Sequence, residues 1–190
     1  MKIFTDHRWT IGAGVILALV LATVGIISQG ESYKGFDADT LIRFGHILSG
    51  ITWIGLLYYF NFVQVPSLGG VTPETKADIF KEGSIVRRAL WWFRWGAMFT
   101  LIFGILLFMN LGAGAGWDIR IGAIFGIIMW INVWMIIWPN QKRVIGITEA
   151  TADEKAAAGK KALMASRLNT LLSIPMLLFM VSSAHFPFFN

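Results

Sequence analysis

The chain has 190 residues, of which 56% are hydrophobic and 14% charged, and it contains nine Trp and fifteen Phe. This composition is too apolar for a soluble domain of this length and indicates an integral membrane protein. Cysteine is absent, which excludes disulfides, thiolate metal sites and covalent attachment of c-type haem. The formal net charge is +5, but Lys and Arg in a membrane protein report topology, so we infer no nucleic-acid partner.

Five stretches are long and apolar enough to cross a hydrocarbon core of about 30 Å, which takes about 20 helical residues. They are predicted near residues 9–28, 39–66, 89–111, 119–139 and 164–187. The sequence therefore predicts an all-α fold, a single transmembrane domain over residues 1–190 built as a bundle of about five helices. We interpret the first span as an uncleaved anchor, because its apolar run exceeds that of a signal peptide and no A-x-A site follows it.

The Lys and Arg residues outside the spans are distributed unevenly. Most of them lie in the N-terminal arm and in residues 67–88 and 140–167, which the five spans place on one side of the membrane. The other side carries only Lys34, Arg43 and Arg120. The positive-inside rule then predicts a cytoplasmic N-terminus and a periplasmic C-terminus in a bacterial inner membrane, with membrane lipid as the surrounding partner.

Two polar stretches between the spans are predicted to form short helices on the cytoplasmic side. Thr72, Pro73 and Glu74 are typical of an N-cap, a first-turn proline and an acidic first turn, so we expect a helix over 73–82. Residues 151–161 are rich in Ala, Lys and Glu, which predicts a polar helix before the last span.

Two of the three histidines, His46 and His185, lie inside long apolar runs. In the predicted topology His46 lies about seven residues below the outer end of the second helix, and His185 lies just before the outer end of the fifth. At 1.5 Å per residue their depths differ by roughly 5 to 8 Å, which helix tilt and a kink at Pro175 would absorb. Both side chains are therefore expected in the outer leaflet.

Neutral imidazole is a common ligand of haem iron, zinc and copper. Two imidazoles from facing helices would clamp a haem plane, which makes His46 and His185 candidate axial ligands. Trp53 follows His46 by seven residues on the same helical face, so it is a candidate to pack on the cofactor. The alternative is that each histidine bonds a neighbouring helix or lies at the wet interface, and that Trp53 is a core residue.

A second set of polar residues falls toward the cytoplasmic leaflet. Arg94, Arg167 and Asn169 would line a pocket for an anionic substrate, and Arg43 is the corresponding candidate on the outer side. The alternative is that the arginines extend to lipid headgroups and the amides bridge helices. Asn132 lies near the middle of the fourth span, where an amide is expected to bond another helix.

Three stretches resemble one known family. Residues 44–64, 129–142 and 167–187 read FGHILSGITWIGLLYYFNFVQ, MWINVWMIIWPNQK and RLNT through SAHFP. Together they resemble the membrane part of the bacterial membrane-bound urate oxidase (urate hydroxylase) family, over most of residues 39–188. More distantly, a His followed seven residues later by Trp and then Gly is similar to protoporphyrinogen oxidase-type and copper-resistance membrane proteins.

The resemblance implies a helical membrane scaffold with a His-ligated haem b and an oxidase activity on an anionic purine. Members of the family carry additional helices and a C-terminal cytochrome c domain on the outer side. The 190 residues contain no such domain. We therefore expect electrons to pass to or from a separate periplasmic cytochrome c.

The leading hypothesis is a haem b-binding inner-membrane redox protein, in its sharper form a urate oxidase-like subunit. Two alternatives stay open. One is a non-catalytic accessory subunit of a larger membrane complex, and the other is a copper or metal transport protein that uses both histidines together with methionines. An absorption spectrum separates the three, because only the first gives a Soret band.

Overall fold

The computed structural model describes residues 2–30 and 37–189. These residues form helices and no strand, and five of the helices are long and apolar enough to cross a membrane. The five are His7–Gln29, Ala38–Ser67, Ile85–Leu111, Trp117–Val144 and Ala152–His185. The predicted all-α membrane fold is confirmed, and the chain is a multi-pass membrane protein. The orientation of its termini stays a prediction, and Lys34 lies outside the described residues.

The chain divides into two compact units, Met1–Asp37 and Ala38–Asn190, and each is described by itself. In the first unit, α1 (Lys2–Thr5) precedes α2 (His7–Gln29). The N-cap of α2 is Asp6, whose carboxylate accepts a hydrogen bond from the Arg8 backbone N–H at 2.9 Å. No residue of α2 is buried within this unit, as expected for an apolar helix that contacts lipid.

The second unit contains the other four spans. Its described elements are α3 (Ala38–Tyr58), a π-helical segment (Tyr59–Gln64), α4 (Val65–Ser67), α5 (Pro73–Phe80), α6 (Ile85–Leu111), a 3₁₀ turn (Gly112–Gly114), α7 (Trp117–Ile131), a second π-helical segment (Asn132–Ile137), α8 (Trp138–Val144) and α9 (Ala152–His185). Both π-helical segments interrupt a membrane-spanning helix, and such segments are frequent at functional sites.

One of the two predicted polar helices is present as a separate helix, and the other is the beginning of a longer one. The helix expected over 73–82 is α5, capped by Thr72, whose hydroxyl accepts from the Thr75 N–H at 3.3 Å. The pKa of the Glu74 carboxyl lies below its ordinary value, because its own backbone N–H and the Thr72 side chain donate to it. The polar residues 152–161 are not a separate helix, since α9 begins at a capping box of Thr151 and Glu154 and runs unbroken into the last span.

The four spans of the second unit form an up-and-down antiparallel bundle. His46 on α3 contacts Thr100 on α6, and Trp95 on α6 packs edge-on against the ring of Trp134 in the fourth span at 6.1 Å. α7 pairs with α9, and α9 returns to α3, where the Tyr58 and Ser173 hydroxyls lie 2.9 Å apart. Each helix therefore contacts the next one in the chain, and the last contacts the first.

Glycines allow the paired helices to approach closely. A Cβ on Gly96 of α6 would lie 3.2 Å from the Trp53 backbone nitrogen, so α3 and α6 touch backbone to backbone there. A Cβ on Gly122 of α7 would lie 3.2 Å from the Met180 backbone nitrogen on α9. Gly126 completes a GxxxG pattern with Gly122, but a Cβ there would meet nothing within 4 Å. Only the first glycine of the pattern makes the close contact that small residues permit in membrane helices.

The apolar core fills one half of the bundle. We call the end formed by the starts of α3 and α7 and the ends of α6 and α9 the His46 end, and the opposite one the Gln64 end. The buried cluster comprises Trp53, Ile54, Leu57, Phe60, Val86, Leu90, Phe93, Ala97, Met129, Val133, Ile137, Ile145, Ala165 and Met176. It begins at Trp53 on α3 and stops at Ala97 on α6 and at Met176 on α9. Among the described residues, no member of this cluster lies in the outermost turns of the His46 end.

Candidate functional site

His46 is held against α6 by one hydrogen bond. Its ring is half-buried, and Nδ1 lies 2.9 Å from the backbone carbonyl oxygen of Thr100. A carbonyl oxygen only accepts, so Nδ1 carries the hydrogen and the lone pair of a neutral ring lies on Nε2. Metal-binding histidines are oriented in this same way, by donating the other ring N–H to a backbone carbonyl. The geometry of His46 is therefore compatible with a ligand role for Nε2.

Glycines provide the space around the His46 ring. A Cβ on Gly104 would lie 3.0 Å from Cε1 and 3.3 Å from Nδ1 of His46, so the ring packs directly on the backbone of α6. Gly50 follows His46 by about one helical turn, and a Cβ there would meet only the Thr100 methyl group, at 3.9 Å. The small residues thus let the His46 ring and α3 approach α6 closely.

His185 is the last residue of α9 and lies at the same end of the bundle. Its side chain is exposed, and Nδ1 lies 3.1 Å from the Val181 carbonyl oxygen on its own helix. As in His46, this leaves Nε2 with the lone pair. The two rings bond backbone carbonyls of different helices through Nδ1, and no hydrogen bond joins one ring to the other. The structure brings both rings to one end of the bundle, one against α6 and one on the surface.

Asp118 organises the His46 end and was missed by the sequence reasoning. Its buried carboxylate accepts hydrogen bonds from the Ser182 hydroxyl at 2.5 Å and from the backbone N–H groups of Phe188 and Phe189, each at 2.9 Å. These bonds tie the start of α7 to the end of α9 and to the residues after it. The sequence signal that could have indicated Asp118 is an acidic residue in the first turn of a helix, where the helix dipole favours a negative charge.

Trp53 is a core residue with one unsatisfied donor. It is 2% exposed and belongs to the buried cluster, on the same face of α3 as His46. Its indole N–H is buried without a hydrogen-bond partner, and the same holds for Trp130 and Trp134. Indole nitrogen is a donor only, so these three buried groups can bond only to an acceptor.

The three candidate substrate-binding arginines are not brought together. Arg43 is exposed at the His46 end and forms an ion pair with Asp39 at 2.6 Å. Arg94 stacks its guanidinium 3.3 Å above the ring centre of Trp138, a cation–π contact. Arg167 is exposed on α9. No hydrogen bond or ion pair joins any two of them among the residues that the structure describes.

Asn169, the fourth candidate, is fully buried and bridges two helices. Its Oδ1 accepts from Asn132 Nδ2, and its own Nδ2 donates to the Met129 carbonyl oxygen, both at 2.9 Å. The prediction that Asn132 bonds another helix is confirmed. This amide pair joins α9 to the fourth span where that span becomes π-helical.

Within residues 2–30 and 37–189, no group of three or more His, Asp or Glu side chains is arranged to hold a metal ion. Met129 and Met176, two of the methionines considered as copper ligands, belong to the buried apolar cluster. The described residues thus supply single imidazoles rather than a multidentate protein site for a bare metal ion.

Comparison with known families gives one match. Residues 110–190 match the family described as urate oxidase N-terminal. The resemblance predicted from the sequence is confirmed over this range, which contains α7 and α9 with Asn169 and His185. The stretch 44–64, with His46, lies outside the matched range, and its resemblance stays a prediction. No curated protein and no solved structure matches the chain.

Proposed function

We propose that this urate oxidase-like membrane protein is a haem b-binding redox subunit of a bacterial inner membrane. In its sharper form it oxidises an anionic purine and passes electrons to a separate periplasmic cytochrome c. The imidazoles of His46 and His185 would hold the haem iron, with Trp53 packed near the site.

The observation that carries the proposal is the hydrogen bond from His46 Nδ1 to the Thr100 carbonyl oxygen, 2.9 Å long. It orients the ring, fixes the tautomer and leaves Nε2 as the coordinating atom. The surroundings support the same role, because Gly104 lets the ring pack on the backbone of α6 and the buried apolar cluster stops short of this end of the bundle.

A bound haem would supply one-electron transfer, and the protein side chains would control how readily it occurs. The Thr100 carbonyl makes the His46 ring a stronger electron donor by accepting its Nδ1 hydrogen. Trp53 and the apolar cluster below it exclude water from the inner side of the site. His185 is exposed, so its Nε2 is free to coordinate without breaking a contact to another helix.

For the anionic purine, Arg167 supports the proposal best among the four candidates. Its guanidinium is exposed and forms no ion pair among the described residues, whereas Arg43 is paired with Asp39 and Asn169 already bonds two groups. A guanidinium presents paired N–H donors to planar oxyanions. Urate-dependent reduction of a cytochrome c by the purified protein, lost in Arg167→Gln, is the expected result.

The haem assignment is tested by the visible spectrum of detergent-purified protein. We expect a Soret band and split visible bands on reduction in the native chain, and loss of the haem signal in His46→Ala. His7→Ala is the matched control, because His7 is exposed in the first unit and should leave the spectrum unchanged. His185→Ala should keep some haem with altered visible bands, since one ligand would remain.

Two results would contradict the haem proposal. Full haem occupancy in His46→Ala would remove that residue as a ligand. A native protein without any Soret band, when haem is supplied during expression, would favour the accessory-subunit alternative, and copper in stoichiometric amount without that band would favour metal transport.

A further inference from the structure

A cavity of about 200 Å³ lies at the Gln64 end of the bundle, away from His46. The first π-helical segment, α5, α6, the fourth span and α9 all contribute to its lining. Most of the wall is apolar, and Phe60, Phe80 and Phe93 supply three aromatic faces. Phe60 and Phe93 pack edge to face with ring centres 5.4 Å apart. The aromatic, mostly apolar wall favours a ligand with a largely apolar ring.

Four polar side chains also line this cavity, namely Gln64, Lys76, Gln141 and Ser166. They come from four different parts of the unit, so the fold gathers them at one place. Lys76 forms no ion pair among the described residues, which leaves its ammonium group as a donor. Among the described residues, no hydrogen bond joins any two of these four side chains.

The hydrogen bonds beside the cavity leave specific groups unsatisfied. Gln64 Oε1 is buried without a partner, and so is Oδ1 of the neighbouring Asn61. Asn61 donates through Nδ2 to the Ser166 hydroxyl oxygen at 2.8 Å, so that hydroxyl accepts one bond. Among the described residues no side chain or carbonyl accepts the Ser166 hydroxyl hydrogen. Unpaired buried polar groups are costly, and a bound ligand that donates to Gln64 and accepts from Ser166 would pair them.

The lining excludes several ligand classes. It contains no Asp, Glu or His, so it offers no usual set of metal ligands. It contains a single cation, Lys76, which does not suit a phosphate or another multiply charged anion. The aromatic and polar lining suits an uncharged aromatic ring that carries both hydroxyl donors and oxygen acceptors.

We propose that this cavity binds the head group of a membrane quinol. A quinol hydroxyl donates to Gln64 Oε1, and a quinol oxygen accepts from Ser166 or Lys76. The apolar ring lies among the phenylalanines, and the source of the ligand is the bilayer that surrounds these spanning helices. This binding site goes beyond the proposed haem function and does not depend on it.

The test is anaerobic calorimetric titration of detergent-purified native protein with decylubiquinol, a quinol with a short apolar tail whose hydroxyl groups can donate to Gln64 Oε1. We expect saturable binding to the native chain and about threefold to tenfold weaker binding in Gln64→Leu and in Ser166→Ala, the usual effect of one lost hydrogen bond. Asn110→Ala is the matched control, because that amide bonds Asp39 at the opposite end of the bundle.

A further variant keeps the proposal testable if Gln64→Leu does not fold. Gly159→Ala adds a methyl group that meets Val144 Cγ2 at 3.7 Å, an ordinary contact, so the fold should hold while the cavity narrows. We expect weaker quinol binding in this variant too.

Absence of saturable binding to the native protein would overturn the proposal, as would equal binding in Gln64→Leu, Ser166→Ala and Asn110→Ala. Urate binding that is lost in the same two variants, with no quinol binding, would also overturn it by assigning another ligand class. The haem proposal is tested by the visible spectrum, and the cavity proposal by the calorimetric titration. Failure of one is therefore distinguishable from failure of the other.

Discussion

The buried amide pair of Asn132 and Asn169 allows a quantitative test of the bundle. Replacing Asn169 by Leu removes two hydrogen bonds, one from Asn132 Nδ2 and one to the Met129 carbonyl oxygen. Replacing Asn132 by Leu removes only the first of them. Both positions are buried, so each single change leaves one polar atom without this partner, Asn132 Nδ2 in Asn169→Leu and Asn169 Oδ1 in Asn132→Leu.

The magnitudes follow from hydrogen bonds between membrane helices, which contribute about 0.6 kcal/mol each on average and up to about 1.7 kcal/mol. An unpaired buried amide adds about 1–3 kcal/mol. Asn169→Leu should therefore lower the free energy of unfolding by about 2–4 kcal/mol, and Asn132→Leu by somewhat less. The double variant leaves neither side-chain amide unpaired, and the Met129 carbonyl keeps its backbone bond from the Asn132 N–H.

The expected result is that the double variant loses less stability than the two single variants combined, by at least about 0.5 kcal/mol. The assay is unfolding in mixed micelles by sodium dodecyl sulfate, followed by far-ultraviolet circular dichroism. Asn110→Leu, at an exposed amide, should change stability by no more than about 0.5 kcal/mol. Strictly additive losses at positions 132 and 169 would refute the inference that these amides stabilise one another.

Two other predictions concern the His46 end. Gly104→Ala places a methyl group 3.0 Å from His46 Cε1 and should weaken haem binding by about tenfold or more, measured by haem titration. Gly126→Ala, where a Cβ meets nothing within 4 Å, should leave haem binding unchanged, and equal effects of the two changes would contradict this explanation. Asp118→Ala removes the acceptor of two backbone hydrogen bonds, so the amides of residues 188 and 189 should exchange hydrogen faster, as measured by mass spectrometry. Unchanged exchange would show that other contacts hold this segment.

The spans were predicted to within a few residues at most of their ends. The exception is the last one, predicted at 164–187 after a separate polar helix over 151–161, whereas α9 runs from Ala152 to His185. The polar stretch consists of good helix formers, so the helix continues where the hydropathy changes. Hydropathy marks where a helix enters the bilayer, and it does not mark where the helix begins.

The candidate site was predicted in part. His46 and Trp53 could be singled out because an imidazole in an apolar run and an aromatic residue on the same helical face are local patterns. The bond from His46 to the Thr100 carbonyl could not, because any backbone carbonyl of α6 has the same chemistry and only the register of the two helices selects one. The same reason explains why the role of Asp118 was missed, since its partners lie 64 to 71 residues away.

The sequence by itself determined that five segments enter the membrane as helices, because about 20 consecutive apolar residues decide this locally. It also determined that Asn132 must find a partner on another helix, because an amide in hydrocarbon is costly to leave unpaired. Only the tertiary structure decided that this partner is Asn169, that His46 faces α6 and that Gln64 and Ser166 line one cavity. Contacts between groups 37 to 105 residues apart depend on how the antiparallel helices align and rotate, and no local pattern records that alignment.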